Sequence, residues 1–174
     1  MTETITTTLG DLPIRKAVEA DAAALLTLLQ DTQRWLEAQN IPQWVPAAHE
    51  PLLVKTMIQV GTAYVVEREG QIIALCRLLE IFPAYWHRDV ATASYLSTLT
   101  VAREFAKHGI GAALLQWAEA TLRDQGKTWA CLDCYASNAA LCAYYERQGY
   151  VAIGEAEAYP GYNERMYEKR LTPP

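Results

Sequence analysis

The chain has 174 residues, of which 51% are hydrophobic, and its formal net charge is -5 at neutral pH. This length is enough for one domain with a real core and too short for two ordinary domains. An acidic chain is not expected to bind nucleic acid in general, and no run of about 18 apolar residues is present to span a membrane. We therefore expect a single cytoplasmic domain over residues 12–174. Residues 1–11 lack a signal-peptide pattern and are expected to form a flexible tail.

Apolar periodicity and turn residues predict a mixed α/β domain. In chain order the predicted elements are strand Leu12–Ala17, a helix from Glu19 through Leu36, helix Glu50–Val60, strands Thr62–Arg68, Gln71–Phe82 and Ala93–Val101, helix Gly109–Gln125, strand Thr128–Cys134, helix Asn138–Gln148, and strands Tyr150–Ala156 and Arg165–Leu171. They give a central mixed sheet of six to seven strands with about four helices. On the third helix, Glu119 and Arg123 are expected to face outward.

The most informative segment is a basic glycine loop between a predicted strand and a helix, with the sequence Ala106-Lys107-His108-Gly109-Ile110-Gly111-Ala112. Glycines at a helix start let the backbone approach a ligand closely, and the unpaired N–H groups and the helix dipole favour an anion there. The loop therefore favours a phosphate or diphosphate ligand. It is neither a P-loop nor a dinucleotide fingerprint, because no Gly-Lys-Ser/Thr ends it and Leu114 takes the third glycine position. A turn without a ligand is the alternative.

A second motif lies downstream, where a helix begins at a cap and ends at Gly149. Asn138 and Tyr145 are seven residues apart, about two turns, so they share one helix face. With both motifs in this order, the chain resembles the GCN5-related N-acetyltransferase (GNAT) superfamily. Its acetyl-CoA loop reads Gln/Arg-x-x-Gly-x-Gly/Ala, and its later helix carries an Asn and a Tyr followed by Glu-x-x-Gly-Phe/Tyr. The resemblance extends from about Ile14 to Leu171.

The resemblance implies a GNAT-like fold and acetyl-CoA as the cofactor. The residues it assigns to coenzyme A are Leu99, Val101, Lys107, His108, Gly109, Gly111, Ala112 and Asn138. Backbone groups near Leu99 and Val101 would receive the pantetheine arm where neighbouring strands splay apart. The chain departs from the family at Ala106, which stands where the family has Gln or Arg, and at Lys107, where a glycine is common. We expect Lys107 to replace part of the lost charge.

Acyl transfer from a thioester to an amine requires that the amine lose a proton, that the oxyanion be stabilised and that the thiolate be protonated. Neutralising an alkyl amine of pKa near 10.4 costs about 4–5 kcal/mol at neutral pH. By the resemblance, Tyr145 is the candidate acid, although it also suits a core position beside another tyrosine. The candidate bases are Glu80, His87 and Asp133. Each of these also suits a solvated or structural group.

Four aromatic residues are candidates for the acceptor pocket, and they are Trp35, Trp44, Tyr85 and Trp86. Aromatic walls suit an apolar amine or a cation held against a ring face, and core packing is the alternative for each residue. The expected partner is a small-molecule amine or an amino-acid-like acceptor. Relatives in this family often pair as dimers, so the resemblance also allows a homodimer.

The cysteines are expected to be buried, reduced thiols. Cys131 and Cys134 have the spacing of a redox or metal pair, but they lie on a predicted strand, where positions i and i+3 point to opposite faces. We therefore predict no metal site, and reduced thiols fit a reducing compartment.

The leading hypothesis is an N-acetyltransferase that moves the acetyl group of acetyl-CoA directly to a primary amine. One alternative is a non-catalytic acyl-CoA-binding sensor or interaction module, which the loss of Gln or Arg at Ala106 favours slightly. Another is a nucleotide-binding α/β domain, which ATP or NAD would stabilise and coenzyme A would not.

Overall fold

The computed structural model describes residues 3–44 and 50–171. Its elements are β1 Glu3–Thr7, β2 Gly10–Lys16, α1 Ala22–Ala38, α2 Pro51–Gln59, β3 Ala63–Arg68, β4 Gln71–Leu79, β5 Ala93–Val101, α3 Ile110–Asp124, β6 Trp129–Tyr135, α4 Ala139–Arg147, β7 Val151–Tyr159 and β8 Tyr162–Arg170. Single-turn 3-10 helices cover Glu19–Asp21 and Arg103–Phe105. Within these described ranges, no helix has both the length and the apolar character needed to cross a membrane.

The strands form one eight-stranded sheet in the order β1-β2-β3-β4-β5-β6-β8-β7. The first four strands pair antiparallel, β5 and β6 pair parallel, and β8 pairs antiparallel with both β6 and β7. A parallel pair needs a long crossover, and α3 supplies it between β5 and β6. The predicted mixed α/β class is confirmed, with a strand count slightly above the predicted six to seven.

The N-terminal segment is a strand, so the predicted flexible tail is wrong for the described residues 3–11. β1 pairs antiparallel with β2 over its whole length, and Ile5 is buried with a neighbouring core. Glu3 accepts a hydrogen bond from Trp117 Nε1 at 2.6 Å. The threonine-rich run of β1 favours a strand because β-branched side chains fit a pleated surface.

The chain divides into two compact units: unit 1 comprises Met1–Leu78 and Thr98–Trp117, and unit 2 comprises Leu79–Ser97 and Ala118–Pro174. The single domain over residues 12–174 stays a prediction. In unit 1, one buried cluster joins leucines of α1 to Val54 and Met57 of α2. A second cluster joins the β1–β2 hairpin to Ile110 and Leu114 of α3. The hairpin is therefore part of the core that carries the start of α3.

Unit 2 has a buried aromatic cluster built on Trp86 and Tyr95. Glu119, predicted to face outward, is buried, and it accepts a hydrogen bond from Lys169 Nζ at 2.7 Å. That prediction is wrong because helical periodicity alone could not show that β8 supplies a cation to this side of α3.

All four cysteines, Cys76, Cys131, Cys134 and Cys142, are free and buried. Cys131 and Cys134 lie on β6 and pair with Glu168 and Arg165, which are three positions apart on β8 and so face opposite ways. The predicted strand placement and burial are confirmed.

Candidate active site

The basic glycine loop lies in unit 1, immediately before α3. Lys107 and Gly109 adopt the left-handed conformation, with φ of +68° and +79°. A Cβ added to Gly109 would meet no atom within 4 Å, so the backbone there is open to a ligand. The amide of Ala113 donates to Gly109 O at 2.9 Å, which leaves the amides of the preceding turn without an intrahelical partner. The geometry is therefore suited to binding an anion.

The β1–β2 turn holds this loop from one side. Thr8 donates its backbone N–H to His108 O at 3.2 Å, and Thr8 Oγ1 donates to the same oxygen at 3.2 Å. Thr8 Oγ1 also lies 3.1 Å from His108 Nδ1. This contact could not be predicted from the sequence, because Thr8 falls in the segment predicted to be a tail. The contact fixes both the backbone and the ring of His108.

Strand β5 departs from regular geometry before the loop. Its parallel ladder with β6 pairs Ala93–Tyr95 with Trp129–Cys131, and Thr98 then adopts a φ of +55°. A β-branched residue in that region is a backbone outlier that costs on the order of 1–3 kcal/mol. Leu99 and Val101 follow, and their partly buried side chains pack against a unit 1 core.

Tyr145 and Asn138 lie on α4 in unit 2. Asn138 is the N-cap, and its Oδ1 accepts from the amide of Leu141 at 3.2 Å. The Tyr145 ring is buried among tyrosines, with centroids 6.1 Å from Tyr150 and 6.0 Å from Tyr167. Burial raises the pKa of the Tyr145 phenol far above its ordinary value, so the hydroxyl is protonated at neutral pH. A proton donor must be in this state.

Asp133 on β6 anchors a cluster of aromatic hydrogen-bond donors, which we call the Asp133 cluster. Its Oδ2 accepts from Tyr85 OH at 3.0 Å and from Trp86 Nε1 at 2.8 Å, and its Oδ1 accepts from Tyr95 OH at 2.6 Å. Burial raises the pKa of Asp133, and the three donors oppose that rise. The predicted candidates Asp133, Tyr85 and Trp86 are thus brought together in unit 2.

Glu164 on β8 lies beside this cluster and was not singled out from the sequence. Asp133 pairs across the ladder with Met166, so Glu164, two residues from Met166, lies on the same sheet face as Asp133. Burial, followed by the charge of Asp133, raises the pKa of Glu164 to about 8. Its Oε2 is buried without a hydrogen-bond partner in the described part of the chain. The sequence signal was weak because the strand was predicted to begin only at Arg165.

The other predicted residues have environments unlike that of Asp133. Glu80 is exposed and forms an ion pair with Lys127 at 3.1 Å, and His87 is exposed. In unit 1, the Arg103 guanidinium lies 3.7 Å from the centroid of the Trp35 ring, and Trp44 packs against a buried cluster. Both tryptophans therefore have packing roles, and an acceptor role for either stays a prediction.

The family model of the "Acetyltransferase (GNAT) family" matches residues 29–150. The chain belongs to this family. It is 34% identical over 164 residues to an uncharacterized N-acetyltransferase, YesJ, of Bacillus subtilis, with 90% of this chain and 88% of that protein covered. It is also 34% identical over 162 residues to an S-(2-succino)cysteine N-acetyltransferase of the same organism, with 90% and 94% covered. The chain is thus an acyl-CoA-dependent N-acyltransferase.

Solved structures show the same fold. A GNAT acetyltransferase from Listeria monocytogenes matches with a TM-score of 0.83 and 22% identity, covering 97% of this chain and all of that one. The PaiA N-acetyltransferase of Thermoplasma acidophilum, solved in complex with coenzyme A, matches with a TM-score of 0.72 and 17% identity, covering 91% and 98%. These structural matches show that this acetyltransferase has the same fold as the two solved proteins.

Proposed function

We propose that this acetyltransferase binds acetyl-CoA through the basic glycine loop and transfers the acetyl group directly to a primary amine. The observation that carries the proposal is the left-handed backbone of Lys107 and Gly109 at the start of α3. This backbone presents amides, a helix dipole and a cation to one anionic group. The complex of PaiA with coenzyme A supports the choice of cofactor.

The proposed reaction converts one substrate ammonium and one acetyl-CoA into the amide and free coenzyme A, with the release of one proton. The substrate ammonium loses a proton to a base, and the neutral nitrogen attacks the thioester carbonyl carbon. The C–N bond forms, the C–S bond breaks, and the departing thiolate takes a proton from Tyr145. The second nitrogen proton restores the Tyr145 phenol, and the base releases its proton to solvent. Of the predicted bases, Asp133 contacts the candidate acceptor-site residues Tyr85 and Trp86, but both of its oxygens already accept hydrogen bonds.

The state of two buried thiols, Cys76 and Cys131, favours direct transfer over a covalent acyl-cysteine route through either of them. A cysteine nucleophile reacts as the thiolate and needs a lowered pKa. Burial instead raises the pKa of Cys76 to about 12 and that of Cys131 to about 11. Both groups are thiols at neutral pH.

A cytoplasmic location and a homodimer stay predictions.

Two measurements test the proposal. Calorimetric titration with coenzyme A and acetyl-CoA should give saturable heat, whereas ATP and NAD should give none. Thiol release in the presence of an amine panel should then show turnover. Binding of ATP or NAD without coenzyme A would instead support a nucleotide-binding domain, and binding of coenzyme A with no turnover would support the non-catalytic module.

Tyr145→Phe tests the assigned acid. The variant keeps the buried ring and removes only the hydroxyl, so kcat should fall about 100-fold, within the range for loss of a general acid. The dissociation constant for coenzyme A should stay within about twofold, because the proposed phosphate contacts lie on the glycine loop. An unchanged kcat would remove Tyr145 from the mechanism.

A further inference from the structure

The carboxylates of the Asp133 cluster and its neighbourhood point to the kind of amine that is acetylated. We propose that Glu164 accepts the proton of the acceptor's ammonium group and that, together with Asp133, it selects a cationic amine with no carboxylate beside the reacting nitrogen. This inference rests on the proposed acetyl transfer and names its acceptor class.

Strand register places the two carboxylates as diagonal neighbours on one sheet face. Asp133 is opposite Met166, and Glu164 is opposite Tyr135 on the same ladder. Residues in this relation have Cα atoms about 7–8 Å apart, close enough for one ammonium group to interact with both. Asp133 is already held by three aromatic donors, whereas Glu164 Oε2 is buried and has no partner among the described residues. Glu164 is thus the carboxylate with a lone pair to offer.

The charge on this face is negative once Glu164 loses its proton, at about pH 8 and above. Glu168 lies on the same face of β8, and its charge is matched by an ion pair with Arg88, whose guanidinium stacks over the Trp129 ring. No ion pair to Asp133 or Glu164 occurs in the described ranges 3–44 and 50–171. An acceptor ammonium would supply the missing positive charge. An acceptor carboxylate would meet a like charge, which is how sites reject a competitor.

The environment of Glu164 also suits proton transfer. Its pKa of about 8 is closer than that of an ordinary glutamate to the value of an alkyl ammonium, near 10.4. The proton moves from nitrogen to Oε2, the lone pair stays on nitrogen, and Glu164 later gives the proton to solvent. The titratable groups that act on Glu164 from neighbouring elements are Asp133, Cys134, Tyr85, Tyr95, Tyr145 and Tyr162. Burial raises the pKa values of the thiol and the four phenols above their ordinary values, so these groups are neutral in the pH range in which Glu164 titrates.

The test of selectivity uses acceptors that differ only in the α-carboxylate: tyramine with tyrosine, histamine with histidine, and tryptamine with tryptophan. We expect kcat/KM, followed by thiol release, to be at least tenfold higher for the amine in each pair. S-(2-succino)cysteine, which appears in the name of one relative, is a further acceptor in the panel, because it is an amino acid with additional carboxylates. Equal or faster turnover of the carboxylated compounds would overturn the inference.

The test of proton transfer is the pH profile of kcat/KM. The wild type should show a limb with an apparent pKa near 8 that is the same for every amine, and Glu164→Gln should lose that limb and at least tenfold in rate at pH 8. Asp133→Asn should move the limb to lower pH, because it removes the neighbouring negative charge. Retention of the limb in Glu164→Gln would overturn the role of Glu164.

Glu155→Gln is the matched control. It removes one carboxylate from the same hairpin, but Glu155 pairs with Arg165 and lies on the opposite sheet face, so its profile should match the wild type within twofold.

Coenzyme A titration accompanies every variant. If the wild type does not bind coenzyme A, the proposed function itself is overturned. Intact coenzyme A binding with turnover of the carboxylated compounds, but not of the three amines, would overturn only the acceptor class.

Discussion

The glycine loop in unit 1 and the Asp133 cluster in unit 2 are built from different materials. The loop uses backbone amides, a helix start and two left-handed residues, Lys107 and Gly109, which are both exposed. The Asp133 cluster uses side chains from a loop and two strands, and its carboxylate is enclosed by aromatic donors. A site built from backbone amides is expected to tolerate changes of side chain, such as Ala106 in place of the family's Gln or Arg. A side-chain site depends on each residue, and the comparison can be tested one residue at a time.

The largest expected effect is on stability and comes from the Asp133 cluster. Asp133→Ala leaves two buried donors, Trp86 and Tyr95, and the half-buried Tyr85 without their acceptor and should lower the free energy of unfolding by about 3 kcal/mol. Urea denaturation measures this loss. The control, Glu155→Ala, removes a carboxylate from an exposed ion pair with Arg165 and should cost less than about 1 kcal/mol. Equal losses in the two variants would mean that the cluster contributes no more than a surface pair.

The next effect is a pH dependence that belongs to Glu164. Because its folded pKa of about 8 lies above the unfolded value near 4.5, the native state binds more protons between these values, and stability falls as pH rises through that window. Glu164→Gln should remove this slope and, discounted for partial exposure, be about 2 kcal/mol more stable than the wild type at pH 9. Thermal or urea unfolding from pH 4 to 9 measures the difference. Parallel curves for the two proteins would show that the Glu164 pKa is not raised.

A smaller effect is expected on the cofactor side. Gly109→Ala forces an L side chain into a left-handed conformation and places a methyl group over the exposed amides, so coenzyme A should bind about tenfold more weakly. Gly126→Ala is the control, since Gly126 has a φ of +81° and equally open surroundings beyond the end of α3. Both variants should lose about 1 kcal/mol of stability. Only Gly109→Ala should lose affinity in calorimetry.

The smallest expected effects come from two substitutions of Lys107, which distinguish the contribution of its charge from that of its left-handed backbone. Lys107→Gly and Lys107→Gln both remove the cation and should weaken coenzyme A binding by about threefold at low salt. Lys107→Gly also relieves the left-handed strain and should gain about 0.5–1 kcal/mol of stability, whereas Lys107→Gln should gain nothing. Calorimetry and thermal unfolding of the pair measure the two quantities. Full affinity in both variants would assign the binding to the backbone alone.

Local patterns predicted most of the fold. The bounds of β5 were predicted as Ala93–Val101, as observed, and the leucines of α1 at helical spacing are buried. β1 was missed because its core contact, Ile5, is a single apolar residue among threonines. Glu119 was misplaced because periodicity reports a helix face and carries no information about a cation on a distant strand.

The candidate site was predicted unevenly for the same reason. Glycine and helix-start signals are local, so the loop could be predicted from the sequence. The structure adds that Lys107, which is not a glycine, has a left-handed backbone there. Asp133 was singled out by its place near a strand end, but its three donors lie 38 to 48 positions away in the chain. Glu164 acquires its properties from burial and from the charge of Asp133, which only the strand register brings near.

The contact between Thr8 and His108 has a practical consequence for handling the protein. Affinity tags, fusion partners or trimmed versions that alter the first ten residues would disturb the turn that steadies His108. Coenzyme affinity measured on such preparations would then report the quality of the N-terminal hairpin as well as the loop. Placing tags at the other end of the chain keeps the two contributions separate.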